Sequence, residues 1–205
     1  MSKTLITTAT LAVLALGAPL ARAGAVQADV SFVGAFPVGN YETGDYADEV
    51  FDAGVGVLSD VLLGINDNFL IGGGVGYYRN GGGYFTFNPG GFDEHVVYHL
   101  TSVPVHALVL WRASQPDGLG YYVEGGLGAT YHHLDVEHNH DYDGSQTSFS
   151  YILGAGLSYP VSHRWDLTGG VAFHQAITSS DGDVWFEGDN PQTVLLTIGL
   201  RWHRE

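Results

Sequence analysis

The sequence predicts an all-β chain: an eight-stranded antiparallel up-and-down transmembrane β-barrel over residues 24–205, preceded by a cleavable signal peptide over residues 1–23. Three observations predict it. Past residue 24, apolar side chains recur with period two and almost never with period 3.6. The alternating stretches are joined by connections that are short and long in turn. The face opposite the apolar one carries Gly, Ser and Thr with isolated charges, not the mixed charge coat of a soluble domain.

The first residues follow the layout of an export signal. Met1-Ser2-Lys3 gives a positive start, Leu5 to Leu20 is an apolar run, and Ala21-Arg22-Ala23 places small residues where a signal peptidase reads them. The run is short and broken by Gly17 and Pro19, which argues against a membrane-spanning helix. Cleavage is expected after Ala23. There is no cysteine, so a lipoprotein anchor, disulfides and thiolate metal sites are excluded.

Strands are expected at roughly 25–37, 52–65, 68–79, 96–112, 119–133, 147–161, 164–176 and 191–203. The alternation is clearest near the end, where Val194, Leu196, Ile198, Leu200 and Trp202 share a face and Leu195, Thr197, Gly199 and Arg201 share the other. Tyr121 to His133 and Ser148 to Tyr159 repeat the design. The second and fourth stretches alternate least, and Pro104 within the fourth requires a local distortion or a bulge, because proline cannot donate to the ladder. Asn66-Asp67, Ala113 to Gly118 and Ser162-His163 read as short turns. The segments near 38–51, 80–95, 134–146 and 177–190 read as long, acidic, Gly-rich loops on the opposite rim.

Alternation alone does not say which face is inside. A soluble barrel turns its apolar face inward and a membrane barrel turns it to lipid. Small side chains on the second face suit the narrow lumen of an eight-stranded barrel. Closure satisfies every backbone group within lipid. Trp111, Tyr121, Tyr159, Trp165, Trp202 and Phe69 fall beside the short turns or the C-terminal end. Tyr77, Tyr98, Tyr131 and Phe149 fall beside the long loops, which is the arrangement of two interfacial girdles.

The formal net charge is −15, and loss of Lys3 and Arg22 with the leader takes it to −17. Such a chain does not seek nucleic acid.

Two stretches carry a family resemblance. Gly34-Ala35-Phe36-Pro37-Val38-Gly39-Asn40-Tyr41 resembles the end of the first strand of the small outer-membrane β-barrel superfamily, the OmpA/OmpX-like proteins. Thr193 to Trp202, with Ile198-Gly199-Leu200-Arg201-Trp202, looks like the closing strand of that family. The resemblance spans essentially the whole chain after residue 24. It implies the outer membrane of a Gram-negative bacterium, with outer-membrane lipid and lipopolysaccharide as surroundings and the barrel-assembly machinery as partner during insertion. One departure is that Trp202 is followed by His203-Arg204-Glu205, whereas family members usually end on an aromatic residue.

Three constellations can carry chemistry. Asp29, Asp60, His106, Glu124, Asp166, His174 and Arg201 all fall on the small-residue face. In a closed barrel the first strand meets the last, which brings Asp29 toward Arg201, with Asp166 on the neighbouring strand. Asp29, Asp60, Glu124, Asp166 and Arg201 are therefore expected to form an ion-pair network in the lumen, since buried charge must be paired. Lipid A deacylases, which resemble this chain in size, place a His and a Ser near the rim of one strand. Here Phe173-His174-Gln175-Ala176 has Ala176 where the serine would stand, and Ser179 and Ser180 are displaced into the loop. Without a serine held by a base, acyl transfer has no route, so no catalytic residue is assigned. Finally, His132, His133, His138 and His140 sit among carboxylates in a stretch that can offer ligands to Zn²⁺, Cu²⁺ or Ni²⁺, but with no fixed ligand spacing. No cofactor is expected. The function expected is structural or surface-interacting: a non-catalytic integral outer-membrane protein with acidic extracellular loops and an unidentified extracellular ligand. The alternatives are a small porin or a lipid A-modifying enzyme.

Overall fold

The computed structural model describes residues 25–38, 52–80, 84–87, 94–114, 118–137, 142–177 and 190–204. The expected leader, the histidines His138 and His140, and most of the long connections lie outside them.

The described residues form β1 (Val26–Val38), β2 (Gly54–Gly64), β3 (Phe69–Asn80), β4 (Tyr84–Phe87), β5 (Glu94–Ser114), β6 (Gly120–Glu137), β7 (Tyr142–Ser162), β8 (Trp165–Ile177) and β9 (Gln192–Arg204). The sheet runs β3-β2-β1-β9-β8-β7-β6-β5-β4, and a further pairing of β3 with β5 closes it. The ring therefore has eight strands, all neighbours antiparallel, and β4 stands outside it, paired only with Glu94–Val97 of β5. Closure is long at the seam: β1 and β9 pair from Val26↔Arg204 to Val38↔Gln192. A closed ring leaves no spanning strand with an unpaired edge, the condition for crossing lipid.

The eight expected strands are all present. β4 is the addition, four residues within a segment that reads as loop because so short a piece shows no period. β6 and β7 also run further at their outer ends, to Val136↔Tyr142. Their ladder continues past the point where apolar alternation stops, because hydrogen bonding does not need the alternation that a lipid face imposes.

Pro104 is accommodated without a bulge. The β3–β5 ladder pairs Val75 with Val105 and then Tyr78 with Ser102, so pairing lapses opposite Pro104 and resumes in the same register. On its other side Pro104 pairs with Thr130 without interruption. A register shift occurs instead between Pro160 and Ser162, just before the turn to β8. Gly118, at φ 89°, makes the turn from β5 to β6 in the left-handed region, where a side chain would be strained.

Burial runs opposite to that of a soluble protein. Phe32 is 70% exposed, Leu127 61% and Ile198 59%, whereas Asp29, His106, His174 and Arg201 are buried. A broad exposed apolar surface of this kind marks a lipid-facing wall. The lumen is filled. Leu62, Leu70, Leu108, Leu110, Ile152 and Leu195 pack inside it with Tyr78 and Tyr122. Glycines let the strands carry this filling: a Cβ on Gly128 would collide with the backbone of Val105, and one on Gly74 with the Asp60 carboxylate.

Candidate functional site: the polar lumen

The lumen holds two polar clusters. The first lies toward the short-turn rim and is built across the seam. Asp29 of β1 and Arg201 of β9 are register partners, and Arg201 Nε donates to Asp29 Oδ2 at 3.1 Å. Ser31 Oγ donates to Asp29 Oδ1 at 2.7 Å, and Thr168 Oγ1 to Oδ2 at 3.5 Å. Beneath the guanidinium lies the Tyr122 ring, its centroid 4.6 Å from Cζ. A planar, permanently charged fork fits this setting, because one face can stack while its edge donates.

The other acids of the expected network are placed differently. Asp166 is the register partner of Arg201 on β8, yet it contacts the His203 imidazole, Nδ1 to Oδ2 at 3.8 Å. Asp60 and Glu124 are not bridged to any cation among the described residues. They line, with His106, Leu58, Leu108 and Ile152, a cavity of about 20 Å³, room for about one water. The structure thus brings Asp29 and Arg201 into contact and sets Asp60 and Glu124 apart as a pair of carboxylates around a small void.

The second cluster lies toward the long-connection rim and is a directed chain. Thr130 Oγ1 donates to Ser150 Oγ at 2.8 Å. Thr130 therefore accepts from His174 Nε2 at 2.9 Å, which leaves His174 Nδ1 to accept from the Tyr78 hydroxyl at 2.9 Å. Ser150 in turn donates to His106 Nε2 at 3.0 Å. Five side chains from β3, β8, β6, β7 and β5 are thereby fixed in one sense. The His106 and His174 rings also meet edge to face at 5.4 Å. Ser102 Oγ and His132 Nδ1 add a separate contact at 3.0 Å.

This chain bears on the acyl-transfer reading. Both ring nitrogens of His174 are engaged, by Tyr78 and Thr130, so the ring has no free position from which to activate a nucleophile. Ser150 and Ser102 do contact imidazoles, but both are buried inside the barrel, turned away from the lipid-facing wall.

The histidine-rich stretch divides at its start. His132 is buried on the lumen side with Ser102, while His133 stands on the outer face by the alternation of β6, so the two do not converge on one ion. Among the described residues no group of three or more His, Asp and Glu side chains is arranged to hold a metal.

The sequence places the charged lumen residues on one face by parity and Asp29 toward Arg201 by ring closure, but not the further partners of that pair. Tyr122, Ser31, Thr168, Tyr78 and Thr130 fall on the same face by the same parity, and that signal was sufficient to name them. Which of them touch depends on strand register.

The outer wall shows the expected girdle by the short turns. Trp111 pairs with Phe69 across β3–β5, Trp165 with Trp202 across β8–β9, and the Trp111 and Tyr121 rings lie 5.9 Å apart. Trp165, Tyr121, Tyr159 and Phe69 are exposed.

No family model matches the chain, and no curated protein matches it. Solved structures do. A major outer membrane protein from Thermus thermophilus aligns with a TM-score of 0.59 at 13% identity, over 87% of this chain and 99% of that one. The outer membrane protein OprG from Pseudomonas aeruginosa aligns at 0.56 and 12%, over 89% and 97%. Neisserial surface protein A aligns at 0.53 and 20%, over 87% and 95%. At these identities the likeness is one of fold: the chain has the architecture of small outer-membrane β-barrels.

Proposed function

We propose that this chain is an integral outer-membrane protein whose closed barrel is a non-conducting, non-catalytic support for its extracellular segments. The long acidic connections face outward and the short turns face the periplasm, after removal of residues 1–23. The observation that carries the reading is the Arg201–Asp29 pair, side chains 4% and 8% exposed, held across the barrel seam within an interior otherwise packed with Leu, Ile and Tyr. A filled lumen resembles a structural plug and not a pore, and His174, engaged at both ring nitrogens, offers no base for acyl transfer. Lipid and lipopolysaccharide are the surroundings, the barrel-assembly machinery acts at insertion, and an extracellular ligand is met by the loops.

The test is electrical. The refolded protein in a planar bilayer should give no steady conductance steps. Reproducible single-channel openings would establish the porin reading instead.

A further inference from the structure

From the outer wall we infer a second site: a docking place for the phosphorylated headgroup of an outer-leaflet lipid, centred on Arg79. It rests on the membrane-barrel reading above.

Arg79, Thr101, His133 and Ser145 are register partners on four successive strands, β3, β5, β6 and β7. Buried Tyr78, Asn80, Leu100, Ser102, His132 and Leu134 flank them in sequence and face the lumen, so this row faces outward. His99, Asp135 and Asp143, also successive register partners, form the row above. Neighbouring strands lie about 4.8 Å apart, so Arg79 to His133 spans about 10 Å, the width of a lipid headgroup.

The height fits. Arg79 lies ten positions after Phe69, which belongs to the girdle at the other rim. A strand crosses the hydrocarbon in about 9–11 residues. Arg79 is therefore at the outer headgroup level, with the outward rings of Tyr77 and Tyr131 one step below.

Charge complementarity selects the occupant. Arg79, Arg112, Arg164, Arg201 and Arg204 are the arginines after residue 24, and there is no lysine there. Arg79 alone sits toward the long-connection rim. The connections around it are acidic and would repel an anionic headgroup, so attraction must be local. The contact from Arg79 to Asp135 is long, 4.0 Å, with both side chains about half exposed (46% and 49%), an ion pair of small worth that leaves most of the guanidinium donors available. A phosphate engaged by the arginine fork, with the Thr101 hydroxyl as a further donor, matches the chemistry of these groups.

The experiment uses the refolded full barrel in neutral maltoside micelles, its folding checked by heat-modifiable migration, with bisphosphorylated lipid A as probe and native mass spectrometry as readout. Arg79→Gln should weaken lipid A binding about tenfold. Asp135→Asn should tighten it a few-fold, because it removes the competing anion. Arg164→Gln on the opposite rim should leave it unchanged. Fully dephosphorylated lipid A should bind wild type no better than bisphosphorylated lipid A binds Arg79→Gln. Equal binding by wild type and Arg79→Gln, an equal loss in Arg164→Gln, or full displacement by millimolar inorganic phosphate at the affinity of the lipid would overturn the lipid site. A wild-type chain that never forms a heat-modifiable barrel would instead sink the membrane-barrel reading beneath it.

Discussion

Arg201 and Asp29 are 172 residues apart in sequence and joined by a 3.1 Å hydrogen bond, because barrel closure makes their strands neighbours. Both side chains are buried, so each depends on the other to offset its desolvation. Arg201→Met should lower the urea midpoint of the refolded barrel by the equivalent of about 3 kcal/mol, and Asp29→Asn in the same chain should recover part of it. A midpoint unchanged in the single variant would show that water reaches the pair.

The directed chain from Tyr78 to His106 makes a second prediction. Tyr78→Phe removes the donor to His174 Nδ1 inside the lumen and should cost about 1–3 kcal/mol, the range for a buried acceptor left unsatisfied. Thr130→Val breaks the same chain at its centre and should cost a similar amount. Equilibrium unfolding in micelles measures both, and a double variant should lose less than the sum because the two act in one network.

Leu127 tests which side of the wall is wet. It is 61% exposed, and in a soluble protein an exposed Leu→Arg change is nearly neutral. On a lipid-facing wall, arginine near the bilayer midplane costs about 2–4 kcal/mol. Leu127→Arg should therefore destabilise the barrel refolded in vesicles by that amount. A neutral result would place this face in water.

Asp60 and Glu124 present the opposite case to Asp29. They share one small cavity without a bridging cation among the described residues, so a charge on one disfavours a charge on the other. Asp60→Asn should raise the urea midpoint or leave it unchanged, while Asp29→Asn alone should lower it. If Asp60→Asn is the more damaging of the two, the carboxylate holds an ion or a water that its isostere does not.

Topology is checked on intact cells. Added protease should cut in the long acidic segments and spare the short Ala113 to Gly118 connection, and the membrane-embedded chain should begin at Gly24. Cleavage at the short turns would invert the orientation. An intact Met1 would refute leader removal.

The eight strands of the ring, their antiparallel meander and the inside-out burial were legible in the sequence, and the short β4 outside the ring was not. Period two fixes which side chains share a face, and a one-residue slip would turn every apolar group into the lumen, so the pattern tolerates little ambiguity. That is why the sequence alone assigns Leu196, Ile198 and Leu200 to one wall and Arg201 to the other. Parity, however, carries no information about height or neighbour. It puts Asp29, Asp60, Glu124 and Asp166 on one face, and ring closure points Asp29 toward Arg201, but neither says how Asp60, Glu124 and Asp166 are placed. Only strand register, set by ladder pairing around the closed ring, seats Asp29 directly opposite Arg201, leaves Asp60 with Glu124 beside a void, and lines up Tyr78, His174, Thr130, Ser150 and His106 from five strands. The same register collects Arg79, Thr101 and His133 on the outer wall from three strands. Each residue is ordinary in its own stretch, because a site across strands exists only once the hydrogen-bonded ladder has fixed how far each strand slides against the next.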